Sequence, residues 1–204
     1  MSALIPASAI ASEDPPPDAA AKASPRADAA DFWTNRGHWT FGTQLGFAFE
    51  NHVGRDYSHM ALVIAQPNVG FIVKNFHTPG FPVSRFSMVS EGILGGAAHP
   101  GGYMLGHALL FRLDGKPTHH AVPFFDCGAG VLYTTINEHA KELTGHTQFN
   151  PQGGFGIQYF FNPQRAFVVE YRYMHMSNNS IQLPNFGFNS NMITIGFRWL
   201  RRPR

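Results

Sequence analysis

The sequence predicts an all-β fold: an eight-stranded antiparallel transmembrane β-barrel of the outer-membrane type with a disordered N-terminal tail. Three observations carry this. Of 204 residues, 44% are hydrophobic but only 14% are charged, against ~25% in an average soluble domain; 19 Phe, 6 Tyr and 3 Trp accompany 21 Gly. No run approaches the ~18 consecutive apolar residues that mark a transmembrane helix. Large apolar residues instead alternate with small or polar ones, at a period of two, in one segment after another. A net charge of +2 leaves no basic footprint for nucleic acid. The single cysteine, Cys127, excludes an internal disulfide framework and a Cys-cluster metal site.

Residues 1–30 stand apart. From Ala11 to Ala30 the chain is mostly Ala, Pro, Ser and Asp, with Pro15, Pro16 and Pro17 in a row. Such a stretch has little apolar surface to bury and reads as a disordered tail. Ala9-Ile10-Ala11 is similar to a small-residue signal cleavage site, so the tail reads either as a plain linker or as a signal-peptide remnant plus linker. The barrel domain is expected over 31–204.

Eight strands follow in order, at 38–50, 58–73, 84–95, 102–113, 122–134, 147–161, 165–177 and 190–200. The first is typical: Trp39, Phe41, Leu45, Phe47 and Phe49 share one face, while Gly42, Gln44, Gly46, Ala48 and Glu50 share the other. The second is interrupted by Pro67 and Gly70, and the third is diluted by Ser and Gly. The remaining five alternate clearly. Turn signals at Pro79-Gly80, Pro100-Gly101-Gly102, Asp114-Gly115 and Asn162-Pro163 separate them. Each segment is long enough to cross a bilayer at a tilt.

Parity decides which face looks outward. Eight strands enclose a lumen just wide enough to be filled by side chains, and the minority face of Gly, Ala, Thr, Gln, Glu and Arg suits it. The aromatics then form a lipid-facing band, an arrangement that a water-soluble lipocalin-type barrel reverses. Glu50, Asp126, Glu170, Arg112 and Arg172 fall on the lumenal side and are expected to pair with one another, plugging the interior. Residues 137–145, with Glu138, Lys141 and Glu142, read as an outer loop with a helical turn and solvated charges.

In the seventh segment, His175 and Ser177 share the outer face. Strand residues two apart lie ~6.8 Å apart at Cα, so an imidazole and a hydroxyl there can meet as a base and a nucleophile. With the N-terminus periplasmic, this strand rises, placing the pair at the outer end of the barrel. The adjacent histidines His119-His120 have no acidic or cysteine partner at ligand spacing. No metal and no cofactor is expected. Arg201, Arg202 and Arg204 read as a polar terminator of the last strand.

The run His175-Met176-Ser177-Asn178-Asn179, followed by Pro184-Asn185-Phe186-Gly187, resembles the signature of the lipid A 3-O-deacylase (acyloxyacyl hydrolase) family of outer-membrane barrels. The resemblance implies a serine esterase that removes an ester-linked acyl chain from lipid A, or a related glycolipid, in the outer leaflet. Ser177 then matches the family nucleophile and His175 its general base. Asn178, Asn185 and Gly187 match the loop positions that shape the oxyanion and substrate region. Family members carry an acidic residue twelve positions after the serine, where this chain has Asn189, and no Asp or Glu follows Glu170. An Asn carbonyl can hold the useful histidine tautomer but cannot stabilise the imidazolium electrostatically. A non-catalytic barrel, structural or lipid-binding, is therefore the competing expectation, and oligomeric state stays open between a monomer and a homodimer.

Overall fold

A computed structural model describes residues 39–51 and 59–201. The tail reading for 1–30 and the reading of Arg202 and Arg204 lie outside these residues. The eight strands are β1 (Trp39–Glu50), β2 (Ala61–Asn75), β3 (Val83–His99), β4 (Tyr103–Gly115), β5 (Ala121–Thr134), β6 (Thr147–Asn162), β7 (Arg165–Met176) and β8 (Phe188–Leu200). Every neighbour pair is antiparallel, and β1 bonds to both β2 and β8, closing the barrel. Closure satisfies the backbone groups that hydrocarbon cannot.

Every expected strand is present; β3 runs longer than its pattern suggested, from Val83 to His99, whereas β2 begins later than expected, at Ala61, and continues to Asn75. Pro67 does not break β2, because its ring lies beside Gly92 of β3: a Cβ there would come within 3.3 Å of Pro67 Cγ. The missing side chain makes room for a residue that cannot donate to the ladder. The stretch 61–65 of β2 is apolar on both faces, so alternation is muted although the strand is regular.

Outward residues are large and apolar. Phe155 is 61% exposed and Leu45 55%, values that water would penalise and lipid does not. Cross-strand aromatic pairs tie this wall together, with ring centroids of Trp39 and Phe71 5.1 Å apart and of Phe155 and Tyr171 5.4 Å apart.

The lumen is layered. Its middle is a closed polar network in which the Arg112 guanidinium forks onto Asp126, with Nε 2.6 Å from Oδ1. Arg172 donates to Glu170 at 2.8 and 3.0 Å and to Glu91 Oε1 at 2.5 Å. Gln44 and Gln66 complete the two glutamates. Glu50 departs from expectation: at the rim, it accepts the Met60 N–H at 3.1 Å. Glu91 takes a place in the network that its diluted strand concealed.

The part of the lumen nearest the outer loops is apolar instead, built from Leu62, Met104, Leu132, Met174, Met176 and Phe188 among others. Residues 135–146, containing a 3-10 turn at Ile136–Glu138, fold over this mouth and insert Ile136, Ala140 and Leu143. Their i, i+4, i+7 spacing is a helical apolar stripe. Glu138 and Lys141 are exposed as expected, but Glu142 is 2% exposed. The loop is a stopper rather than a solvated arch, and its burial carries Glu142 inside.

Candidate active site

The β5–β6 and β7–β8 connections lie at one end of the barrel, opposite the tight turn at Pro163-Gln164. Alternation along β7 places Glu170, Arg172, Met174 and Met176 inside and Tyr171, Tyr173 and His175 outside. The register sets His175 directly across from Asn189 of β8. His175 Nδ1 and Asn189 Oδ1 are 2.7 Å apart. With the carbonyl oxygen facing the ring, Nδ1 carries the proton and Nε2 keeps its lone pair, the tautomer a general base needs.

Ser177 continues the outward face one step past β7. Its backbone exchanges two hydrogen bonds with Phe149, Phe149 N–H donating at 2.7 Å and Ser177 N–H at 3.1 Å. The residue is therefore held by ladder bonds rather than by a free loop. Ser177 and His175 are both half-buried on one face, and among the described residues no hydrogen bond joins their side chains. Catalytic hydrogen bonds are commonly long before substrate binds.

After Ser177 the chain turns sharply through Asn179 and Ser180, both left-handed at φ 53° and 62°. Asn178 braces that turn. Its Nδ2 donates to the carbonyls of Thr144 at 2.7 Å and Gln182 at 2.8 Å, and its own N–H donates to Asn185 Oδ1 at 3.4 Å. Gly187, at φ 70°, packs against the histidine: a Cβ there would stand 2.7 Å from His175 Cε1. Its N–H donates to the Glu142 carbonyl at 3.1 Å. Gly187 thus lies against His175 and Asn178 directly follows Ser177, both tied to the stopper loop, while Asn185 is linked to them through the Asn178 N–H.

Two contributors carry no local sequence signal. Tyr173, two residues before His175, donates its hydroxyl to Asn189 Oδ1 at 2.8 Å, so two donors converge on one amide oxygen. Asn150 of β6 donates to the His175 carbonyl at 2.9 Å. A second Ser–His pair, Ser90 Oγ and His107 Nε2 at 2.7 Å, lies part-way down the outer wall. Among the described residues, no third polar group is hydrogen-bonded to it. Down β8 from Asn189, Thr43, Leu45, Ala65, Phe167, Ile195 and Phe197 line an apolar depression of about 330 Å³ on the outer wall. Among the described residues, no three His, Cys, Asp or Glu side chains group as metal ligands.

The fold and this site define a class, an eight-stranded outer-membrane barrel with a histidine–amide pair and a serine at the lip of its lipid-facing wall. The family described as lipid A 3-O-deacylase (PagL) matches residues 21–198, and the chain belongs to that family. The crystal structure of the outer membrane enzyme PagL superposes with a TM-score of 0.57 at 16% identity, covering 77% of this chain and 97% of that one. Neisserial surface protein A superposes with a TM-score of 0.59 at 10% identity, covering 82% and 99%. At these identities the likeness is one of fold. No curated protein sequence matches the chain. The protein is a barrel of the bacterial outer membrane.

Proposed function

We propose that the chain is a serine esterase that removes an ester-linked acyl chain from lipid A or a closely related glycolipid of the outer leaflet. The observation that carries this reading is the 2.7 Å contact of His175 Nδ1 with Asn189 Oδ1, beside Ser177 on the lipid-facing wall. Ser177 Oγ attacks the ester carbonyl while its proton passes to His175 Nε2. The tetrahedral intermediate collapses, the proton moves to the departing sugar hydroxyl, and an acyl-enzyme remains. Water activated by the same nitrogen then releases the fatty acid. The family resemblance assigns the oxyanion to the loop of Asn178, Asn185 and Gly187, whose Asn178 and Gly187 N–H groups are bonded to Asn185 Oδ1 and the Glu142 carbonyl and must be released to serve it. Six residues separate Asn189 from Ile195, about 20 Å of strand, a span suited to an extended acyl chain ending in the apolar depression. The reaction requires no cofactor.

Expression in a lipopolysaccharide-bearing host, with mass spectrometry of extracted lipid A, tests the proposal. Loss of one acyl chain with the wild type and none with Ser177→Ala is the expected result. Equal profiles from both proteins would sink it. Asn189, standing where the family carries an acid, favours a second reading, a barrel of the same fold without hydrolytic activity. That reading expects unchanged lipid A even when Asn189 is replaced by a carboxylate.

A further inference from the structure

Glu142, Gln148 and Asn178 are 2%, 0% and 2% exposed. Among the described residues, neither carboxylate oxygen of Glu142 meets a hydrogen-bond donor, and neither Gln148 Oε1 nor Asn178 Oδ1 meets one. A carboxylate withdrawn from water without a partner is costly, and each orphaned amide oxygen adds to that cost. Such a set calls for a positive charge.

The amide orientations follow from their own donors. Gln148 Nε2 donates to the carbonyls of Thr144 at 3.0 Å and Gly145 at 2.7 Å. Asn178 Nδ2 donates to Thr144 at 2.7 Å and Gln182 at 2.8 Å. Rotating either amide by half a turn would set oxygen against two oxygens, so the orphaned atoms are truly acceptors. Both amide nitrogens reach the Thr144 carbonyl, two residues from Glu142, which ties Gln148 and Asn178 to the loop that carries Glu142. Lys141, the adjacent cation, is exposed.

We propose that these oxygens form a binding site for a divalent cation of the Ca²⁺ type, joining the stopper loop to the β7–β8 loop. The donor set is all oxygen, with one carboxylate and neutral carbonyl-type ligands on loops. That combination suits the adaptable coordination of Ca²⁺ better than the strict octahedron of Mg²⁺. A single carboxylate sets the affinity at the weak end, about 10⁻⁴–10⁻³ M. The cation takes no part in hydrolysis; it fixes Asn178, the residue after Ser177, to the loop over the barrel mouth.

The test uses the full chain refolded in detergent micelles and stripped with EDTA. Radiolabelled Ca²⁺ is measured by equilibrium dialysis, and urea unfolding is followed with CaCl₂ or MgCl₂ at matched ionic strength. The expected result is one Ca²⁺ per chain and an unfolding midpoint raised more by Ca²⁺ than by Mg²⁺. Removing the charge with Glu142→Gln should weaken binding by about tenfold or more, and shortening the reach of the carboxylate with Glu142→Asp should weaken it less. Ser177→Ala should bind as the wild type does, which separates this site from the esterase reading. Absence of stoichiometric Ca²⁺ at about 10 mM, or equal effects of both cations, overturns the proposal. So does a folded Glu142→Gln with wild-type affinity. Should that variant fail to fold, a Glu142→Asp chain with wild-type affinity overturns it instead.

Discussion

Tyr173 and His175, neighbours on the outer face of β7, both reach Asn189 Oδ1, the hydroxyl at 2.8 Å and the ring nitrogen at 2.7 Å. One neutral amide oxygen on β8 therefore accepts from two donors, at the position where the family resemblance implies a carboxylate. The chemistry of the site turns on how well this arrangement does the work of an acid.

Replacing Asn189 with the isosteric Asp restores negative charge next to Nδ1 without changing reach. The opposite change in a serine protease costs ~10⁴ in turnover. Asn189→Asp should therefore raise deacylation by about tenfold or more, up to that ceiling. Rates from lipid A mass spectra over time, at matched expression, check this. No gain would shift weight to the non-catalytic reading.

Tyr173→Phe removes one of the two donors on the amide oxygen. A net hydrogen bond is worth about 0.5–1.5 kcal/mol, so kcat should fall by about two- to tenfold with KM little changed. The loss should shrink in the Asn189→Asp background, where the carboxylate no longer needs the hydroxyl to polarise it. A purely structural Tyr173 would lower both backgrounds equally.

Gly187→Ala forces a Cβ to within 2.7 Å of His175 Cε1 at a φ of 70°. The ring must move, and a displacement of about 1 Å at a catalytic group costs roughly 10²-fold in rate. The strands are untouched, so the heat-modifiable gel shift of the folded barrel should persist while activity is lost.

Arg172→Met leaves Glu91 and Glu170 buried without their guanidinium partner. Breaking a buried pair from one side costs about 3–5 kcal/mol, which urea unfolding in micelles should register. Adding Glu91→Gln removes one of the stranded charges and should recover part of the loss. An unchanged midpoint in the single variant would mean that the lumen is wetter than its side-chain packing indicates.

Much of the fold was legible because a barrel wall has a strict period of two. Lipid outside and a narrow lumen inside sort residues so sharply that Tyr173, His175 and Ser177 could be placed on the outer face, and Glu170 inside, from parity alone. Where both faces are apolar, as at 61–65, or where a proline sits against a glycine, as Pro67 does with Gly92, the period fades although the strand continues. Glu91 was missed because Ser and Gly dilute the alternation of its own strand, β3. The stopper loop was misjudged because its charged residues spoke louder than the Ile136–Ala140–Leu143 stripe, which draws Glu142 into the mouth.

By itself, the sequence determined the barrel, its eight crossings, the sidedness of each strand and the His175–Ser177 motif, because each is written in local alternation or short spacing. Tertiary structure alone decided which residues meet across strands. Register places Asn189 opposite His175, Tyr173 within reach of the same oxygen, and Phe149 against Ser177. Loop packing brings the Gln148 and Asn178 amides to one carbonyl, that of Thr144. Such contacts depend on how the closed sheet aligns distant strands, a relation that no stretch of chain encodes locally.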